Sequence, residues 1–162
     1  MTFVKSPAKV LVTGANGFLA AWVVQLLIER GYSVIGTVRS ESKGTYLKEK
    51  FGDNFEFAIV GGLEVCAKSQ SSSNHFSSGN SSSCEQFHTQ VGAFDEVVKS
   101  VNPHAIFHIA TPVSFDTSED PGIIIQAAIQ GTLGVLQSAQ RFGCVYAHKL
   151  TGRPLRLVLD RT

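Results

Sequence analysis

Gly14 and Gly17 follow the apolar run Val10-Leu11-Val12 and lead directly into Phe18-Leu19-Ala20. Glycines at this spacing let the chain turn tightly and bring backbone N–H groups close to a ligand. Where such a turn opens a helix, the unpaired N–H groups of the first turn and the helix dipole both favour an anion, above all a phosphate. Asn16, Phe18 and Leu19 complete the stretch that such an anion meets. Arg39 is the second chemistry-bearing residue. It ends the apolar run SVIGTV, and an arginine can hold a phosphate bidentately, with Lys43 adding a second positive charge. In dinucleotide folds a carboxylate at the end of the second strand binds the ribose 2′-OH, whereas an arginine there accommodates a 2′-phosphate. Ala110-Thr111-Pro112-Val113 follows the fourth apolar run, at the carboxyl edge where open α/β sheets bind their ligands. The plain alternatives are a strand–turn–helix whose glycines serve only the turn, and a solvated surface arginine.

These residues need elements to position them, and the sequence supplies an alternating set. Val10 to Val12 read as a strand buried on both faces. The pattern turns helical at Phe18 and stays apolar to Ile28, closing with Glu29, Arg30 and Gly31. A second strand spans Ser33 to Val38, a short helix about Lys43 to Phe51, and a third strand Phe55 to Val60. Ala93, Phe94, Val97, Val98 and Val101 form one face of a helix. Pro103 separates it from a fourth strand, Ala105 to Ile109. Asp120-Pro121 is an N-cap and first-turn pair opening a long helix to about Phe142. A last strand is expected at Leu155 to Leu159. The fold class is therefore α/β: a Rossmann-like, doubly wound parallel sheet, incomplete at about five strands, in the order 3-2-1-4 and then 5.

The spacing Gly-x-x-Gly-x-x-Ala, written TGANGFLA and followed by GTVRS, resembles the cofactor loop of the extended short-chain dehydrogenase/reductases. Within the epimerase/dehydratase superfamily it is most similar to the dihydroflavonol-reductase-like branch and the fungal NADPH-dependent aldehyde and ketone reductases. Only their N-terminal portion is covered. The resemblance implies NADP as cofactor and a small carbonyl compound as substrate of the full-length relatives. It implies that Ala110, Thr111 and Pro112 line the ribose and pyrophosphate, and that Gly131-Thr132 lets a helix pass near the nicotinamide. Gly61-Gly62-Leu63 resembles a Gly-Asp-Leu-like motif in which Leu63 meets the cofactor, with Gly62 replacing the aspartate that approaches the adenine. Ala20 stands for a third glycine and is small enough for close packing, while Gly134 replaces a frequent asparagine. His108 is read as a packed, hydrogen-bonded strand histidine in preference to a catalytic one.

The family's proton donor is a Tyr-x-x-x-Lys pair, assisted by a Ser or Thr, after the fifth strand. Tyr46 and Lys50 have the spacing but precede the third strand, and Tyr146 is followed by Leu150 in place of a lysine. No catalytic residue is assigned. The expectation is a truncated cofactor-binding domain over 1–162 with its substrate domain absent, derived from a carbonyl reductase but itself silent. A non-catalytic dinucleotide-binding module and an NAD-dependent epimerase or dehydratase remain the alternatives, the second disfavoured by Arg39.

With 162 residues, 43% hydrophobic, 17% charged and a net charge of +1, the chain reads as one globular domain. No basic stripe stands out, which excludes nucleic acid and anionic membrane as expected partners. Cys66, Cys84 and Cys144 have no metal-ligand spacing and read as free thiols, so no metal is expected. Met1 to Val10 lacks the apolar core of a signal peptide, Asn16, Gly17 and Gln25 interrupt any membrane-length span around the apolar Trp22 to Ile28, and a cytoplasmic location is expected. Residues 64–91 are serine-rich and aperiodic, and read as a disordered insertion. Cys144 to Pro154 is a second interruption, ahead of the RLVL strand. Both interruptions are compatible with translation through an intron: Val65-Cys66 can encode a donor splice word, Gln90 an acceptor ending and Leu150-Thr151 a branch-point word. A genuine surface insertion, cheap in loop entropy, is the competing reading.

Overall fold

Strong local patterns set nearly every element boundary in the computed structural model, which describes residues 4–60, 92–111, 121–144, 146–149 and 155–156. β1 (Lys9–Thr13) runs into α1 (Phe18–Glu29), followed by β2 (Ser33–Val38), α2 (Glu41–Phe51), β3 (Phe55–Ile59), α3 (Asp95–Val101), β4 (Ala105–His108) and α4 (Pro121–Arg141). Two short strands end the described chain, β5 (Tyr146–Lys149) and β6 (Leu155–Arg156). The sheet order is β3-β2-β1-β4-β5-β6, parallel throughout except for β6. The doubly wound architecture read from the sequence is the architecture of the protein.

Alternation along the central strands splits the core in two. Val10, Val12, Val34 and Ala105 pack on the side of α1 and α2, with Ala20, Val24, Leu27, Leu47 and Phe55. Leu11, Ile35 and Ile106 point the other way, against Val98 of α3 and Val135 and Ala139 of α4. A period-two strand that is apolar at every position must be covered on both faces, and this one is. Asp95 clamps α3 to α4: its carboxylate accepts from the buried Ser138 Oγ at 2.6 Å and pairs with the more exposed Arg141. Two apolar stripes face solvent, Phe18, Trp22 and Leu26 along α1 and Ile125, Ile129 and Leu133 along α4. No helix among the described residues is long and apolar enough to cross a membrane.

One expectation needs correction. The slot beside β4 is filled by Tyr146–Lys149, from the segment read as an interruption, and Leu155–Arg156, the described part of the expected last strand, pairs antiparallel with it. The physical reason is reach. Tyr146–Lys149 is the first strand after α4, whereas residues 150–154 are far fewer than the roughly dozen a parallel crossover requires. The strand after β5 can then only return alongside it. The proposed insertion at 64–91 lies outside the described residues.

Gly36 sits in the middle of β2, opposite Val12 of β1. A Cβ at this position would stand 2.5 Å from the Ala15 Cβ and 2.7 Å from the Phe55 ring. The glycine therefore lets the turn after β1 lie directly on the sheet. Gly36→Ala is expected to destabilise the domain by about 1–3 kcal/mol, the usual cost of overpacking a core. Urea unfolding monitored by Trp22 fluorescence reads this, and an unchanged midpoint would contradict the close approach.

Candidate functional site

The carboxyl ends of parallel strands share one sheet edge, so the turns after β1, β2 and β4 are neighbours there. Thr13 ends β1 fully buried, and Gly14 then adopts φ +66°, in the left-handed region that a side chain resists. A Cβ on Gly14 would lie 3.1 Å from both the Cα and the Cβ of Ala110. The loop after β1 and the end of β4 are thus in backbone contact. Gly14 N donates to Thr37 Oγ1 at 3.2 Å, and Ala15 N to the Thr37 carbonyl at 3.0 Å, fastening the turn to β2. Gly17 N closes it on the Gly14 carbonyl at 2.9 Å.

From this turn α1 starts at Phe18 with Gly17 as N-cap and no side-chain cap. Its first-turn amides have no intrahelical partner by construction, and no hydroxyl or carboxylate covers them. Asn16, Gly17, Phe18 and Leu19 are all exposed, whereas Ala20 is wholly buried against the sheet. The start of α1 is therefore exposed and carries no side-chain cap, above the buried Ala20. No carboxylate occupies the first turn of α1 to oppose a negative ligand.

Arg39 is exposed one residue past β2, and Ser40 follows as the N-cap of α2, again without a side-chain cap bond. Ser40 Oγ and Ser42 Oγ are 3.3 Å apart, and Lys43 is exposed in the same first turn. Glu41 carries the single opposing charge, so residues 39–43 sum to +1. Beyond β4, Ala110 is half-buried and Thr111 exposed. Thr132 of α4 donates to the Ala128 carbonyl at 2.8 Å and stands 3.5 Å from His108 Nε2. His108 is buried and its Nδ1 lies 2.9 Å from Thr13 Oγ1, the packed and hydrogen-bonded state its strand position implied.

The structure therefore gathers Gly14, Asn16, Gly17, Phe18, Leu19, Arg39, Lys43, Ala110 and Thr111 along one edge, with Thr132 joined to it through His108. Leu63 and Pro112 lie outside the described residues. Sequence reasoning missed Thr13 and Thr37, whose hydroxyls hold the amides of Ile109 and Ala110 after β4 and the amide of Gly14 after β1, respectively. A signal existed for both. A threonine inside a strand buried on both faces must find a partner for its hydroxyl, and the nearest turn is where one is available. Among the described residues no cluster of His, Cys, Asp or Glu could hold a metal ion.

Residues 10–151 match the NAD dependent epimerase/dehydratase family. The chain belongs to that family. Curated members similar to it include a dihydroflavonol 4-reductase of Gerbera hybrida, 34% identical over 82% of this chain and 30% of the relative. Aldehyde reductase 2 of Sporidiobolus salmonicolor is 33% identical over 94% of this chain and 37% of its own length. Among solved structures, Gre2 of Candida albicans in complex with NADPH superposes with a TM-score of 0.64 at 31% identity, covering 85% of this chain and 34% of that one. Yeast methylglyoxal/isovaleraldehyde reductase Gre2, also complexed with NADPH, gives a TM-score of 0.66 at 25% identity over 87% of this chain and 36% of that one. The chain spans about a third of the length of these relatives.

Proposed function

We propose that this chain is the dinucleotide-binding part of a carbonyl reductase and that it takes NADPH in preference to NADH. The observation that carries the reading is Arg39, exposed at the end of β2 on the same sheet edge as the uncapped start of α1. The donor set fits the ligand. The α1 amides and the Gly14 turn suit the pyrophosphate, and the absence of a side chain on Gly14 lets the turn lie against Ala110. Arg39, with Lys43, suits the 2′-phosphate, because the planar guanidinium offers paired donors to phosphate oxygens. Ala110, Thr111 and Thr132 are assigned to the ribose and nicotinamide side. Bound NADPH would supply a hydride to an aldehyde or ketone. The naming of similar proteins as NADPH-dependent reductases supports this reading.

The chain's own groups account for binding and orientation, and no residue of it is assigned the proton transfer. Reduction of a carbonyl needs a donor within hydrogen-bond reach of the oxygen that becomes negative. Tyr32 immediately precedes β2, at the opposite sheet edge, where its hydroxyl donates to the Val4 carbonyl at 2.8 Å. Tyr46, with Lys50, lies in α2 and is largely exposed. Titration of the 162-residue protein with NADPH and NADH, followed by NADPH oxidation with a panel of aldehydes and ketones, tests both halves of the proposal. The expected result is tighter binding of NADPH by about tenfold or more, as one charged hydrogen bond implies, and oxidation no faster than the blank. Equal affinities would refute the assignment of Arg39, and turnover would refute the absence of a donor.

A further inference from the structure

We propose that His108 is a positioning residue, held as the neutral Nε2–H tautomer, which ties the sheet edge carrying Ala110 and Thr111 to α4, given the reading above that this edge receives the dinucleotide. Donors and acceptors fix the tautomer. Thr13 Oγ1 lies 3.1 Å from Ile109 N, 3.1 Å from Ala110 N and 2.9 Å from His108 Nδ1. A hydroxyl oxygen has two acceptor lone pairs and one proton to donate. The two backbone N–H groups can only donate, so they take the lone pairs. The Thr13 O–H is left to donate to His108 Nδ1. Nδ1 is therefore an acceptor, and the ring proton sits on Nε2.

On the other side of the ring Nε2 faces Thr132 Oγ1 at 3.5 Å, the long end of hydrogen-bond range. The Thr132 hydroxyl spends its own proton on the Ala128 carbonyl at 2.8 Å, which leaves its oxygen to accept from the ring. The chain of bonds thus runs in one direction, from the amides of Ile109 and Ala110 through Thr13 and His108 to the backbone of α4. His108 has a specific task in it. By accepting the Thr13 proton, it turns the hydroxyl so that both lone pairs face the two amides. The opposite tautomer would set an N–H against the Thr13 oxygen as a third donor, and one amide would have to leave. One of those two amides belongs to Ala110, the residue in backbone contact with the Gly14 turn.

The test is a two-bond nitrogen–proton correlation spectrum of the full chain with ¹⁵N-labelled histidine, recorded at neutral pH without nucleotide. Five histidines contribute, and the spectrum of His108→Gln identifies the signals of His108 by their loss. The expected pattern is one dominant form with Nδ1 unprotonated and Nε2 protonated. A dominant Nδ1–H form, or an even mixture, overturns the proposal. Thr13→Ser keeps the pattern, whereas Thr13→Val raises the Nδ1–H share about fivefold, as loss of one hydrogen bond implies. Where the valine variant fails to fold, the native spectrum decides alone. The positioning role is read separately in NADPH affinity. Glutamine can accept from Thr13 and donate to Thr132, and leucine can do neither, so His108→Leu should bind about tenfold more weakly than His108→Gln. Equal affinity of the two variants overturns the role. A protein with the expected tautomer that binds no NADPH would refute the cofactor reading and leave the hydrogen-bond chain standing.

Discussion

Gly14→Val is expected to weaken NADPH binding at least about 100-fold while leaving most of the sheet folded. Two costs combine. Gly14 holds φ +66°, where an L-residue pays about 1–2 kcal/mol and a β-branched one more. Its Cβ would also stand 3.1 Å from Ala110 Cα, a backbone atom that cannot rotate away. Overpacking of that kind costs about 1–3 kcal/mol. The strain is relieved if the loop leaves its turn and gives up the bonds from Gly14 N and Ala15 N to Thr37. Apparent affinity then falls by the fraction of molecules whose loop remains competent. Fluorescence titration with NADPH measures the loss, and a parallel urea melt establishes that the sheet persists. Binding within about threefold of the unaltered protein would show that this loop does not floor the site.

Arg39→Asp should act on one cofactor only. Arg39 and Lys43 supply the cationic groups of the α2 entrance, and removing the guanidinium deletes a charged hydrogen bond of about 1.5–3 kcal/mol. NADPH affinity is expected to fall by one to two orders of magnitude, the lower figure applying because the site is exposed and screened. NADH affinity should hold or improve, since a carboxylate at this position can accept from the ribose hydroxyls. Salt gives an independent check. Raising ionic strength should weaken NADPH binding to the unaltered protein and have little effect on the aspartate variant. A loss of equal size for both cofactors would mean that Arg39 supports the fold and not the phosphate.

The parts of this protein governed by local pattern were legible in the residues themselves. An apolar run of strand length between Gly31 and Arg39 places β2 at Ser33–Val38, and the switch in period at Phe18 starts α1. The turn through Gly14 and Gly17 and the arginine after β2 follow from the same punctuation, so the glycine loop and Arg39 could be named before any contact was known. What the linear chain does not display is the partner of a side chain far along it. Thr13 meets the amide of Ala110 across 97 positions and the ring of His108 across 95. Thr37 holds an amide 23 positions before it. Competition for the open edge of β4 was likewise invisible, because Tyr146–Lys149 and Leu155–Leu159 are both plausible strands by composition. Only tertiary geometry decides between them: the segment that emerges first from α4 reaches the edge in parallel, and the next one, with too short a connection to cross over, must pair with it in reverse.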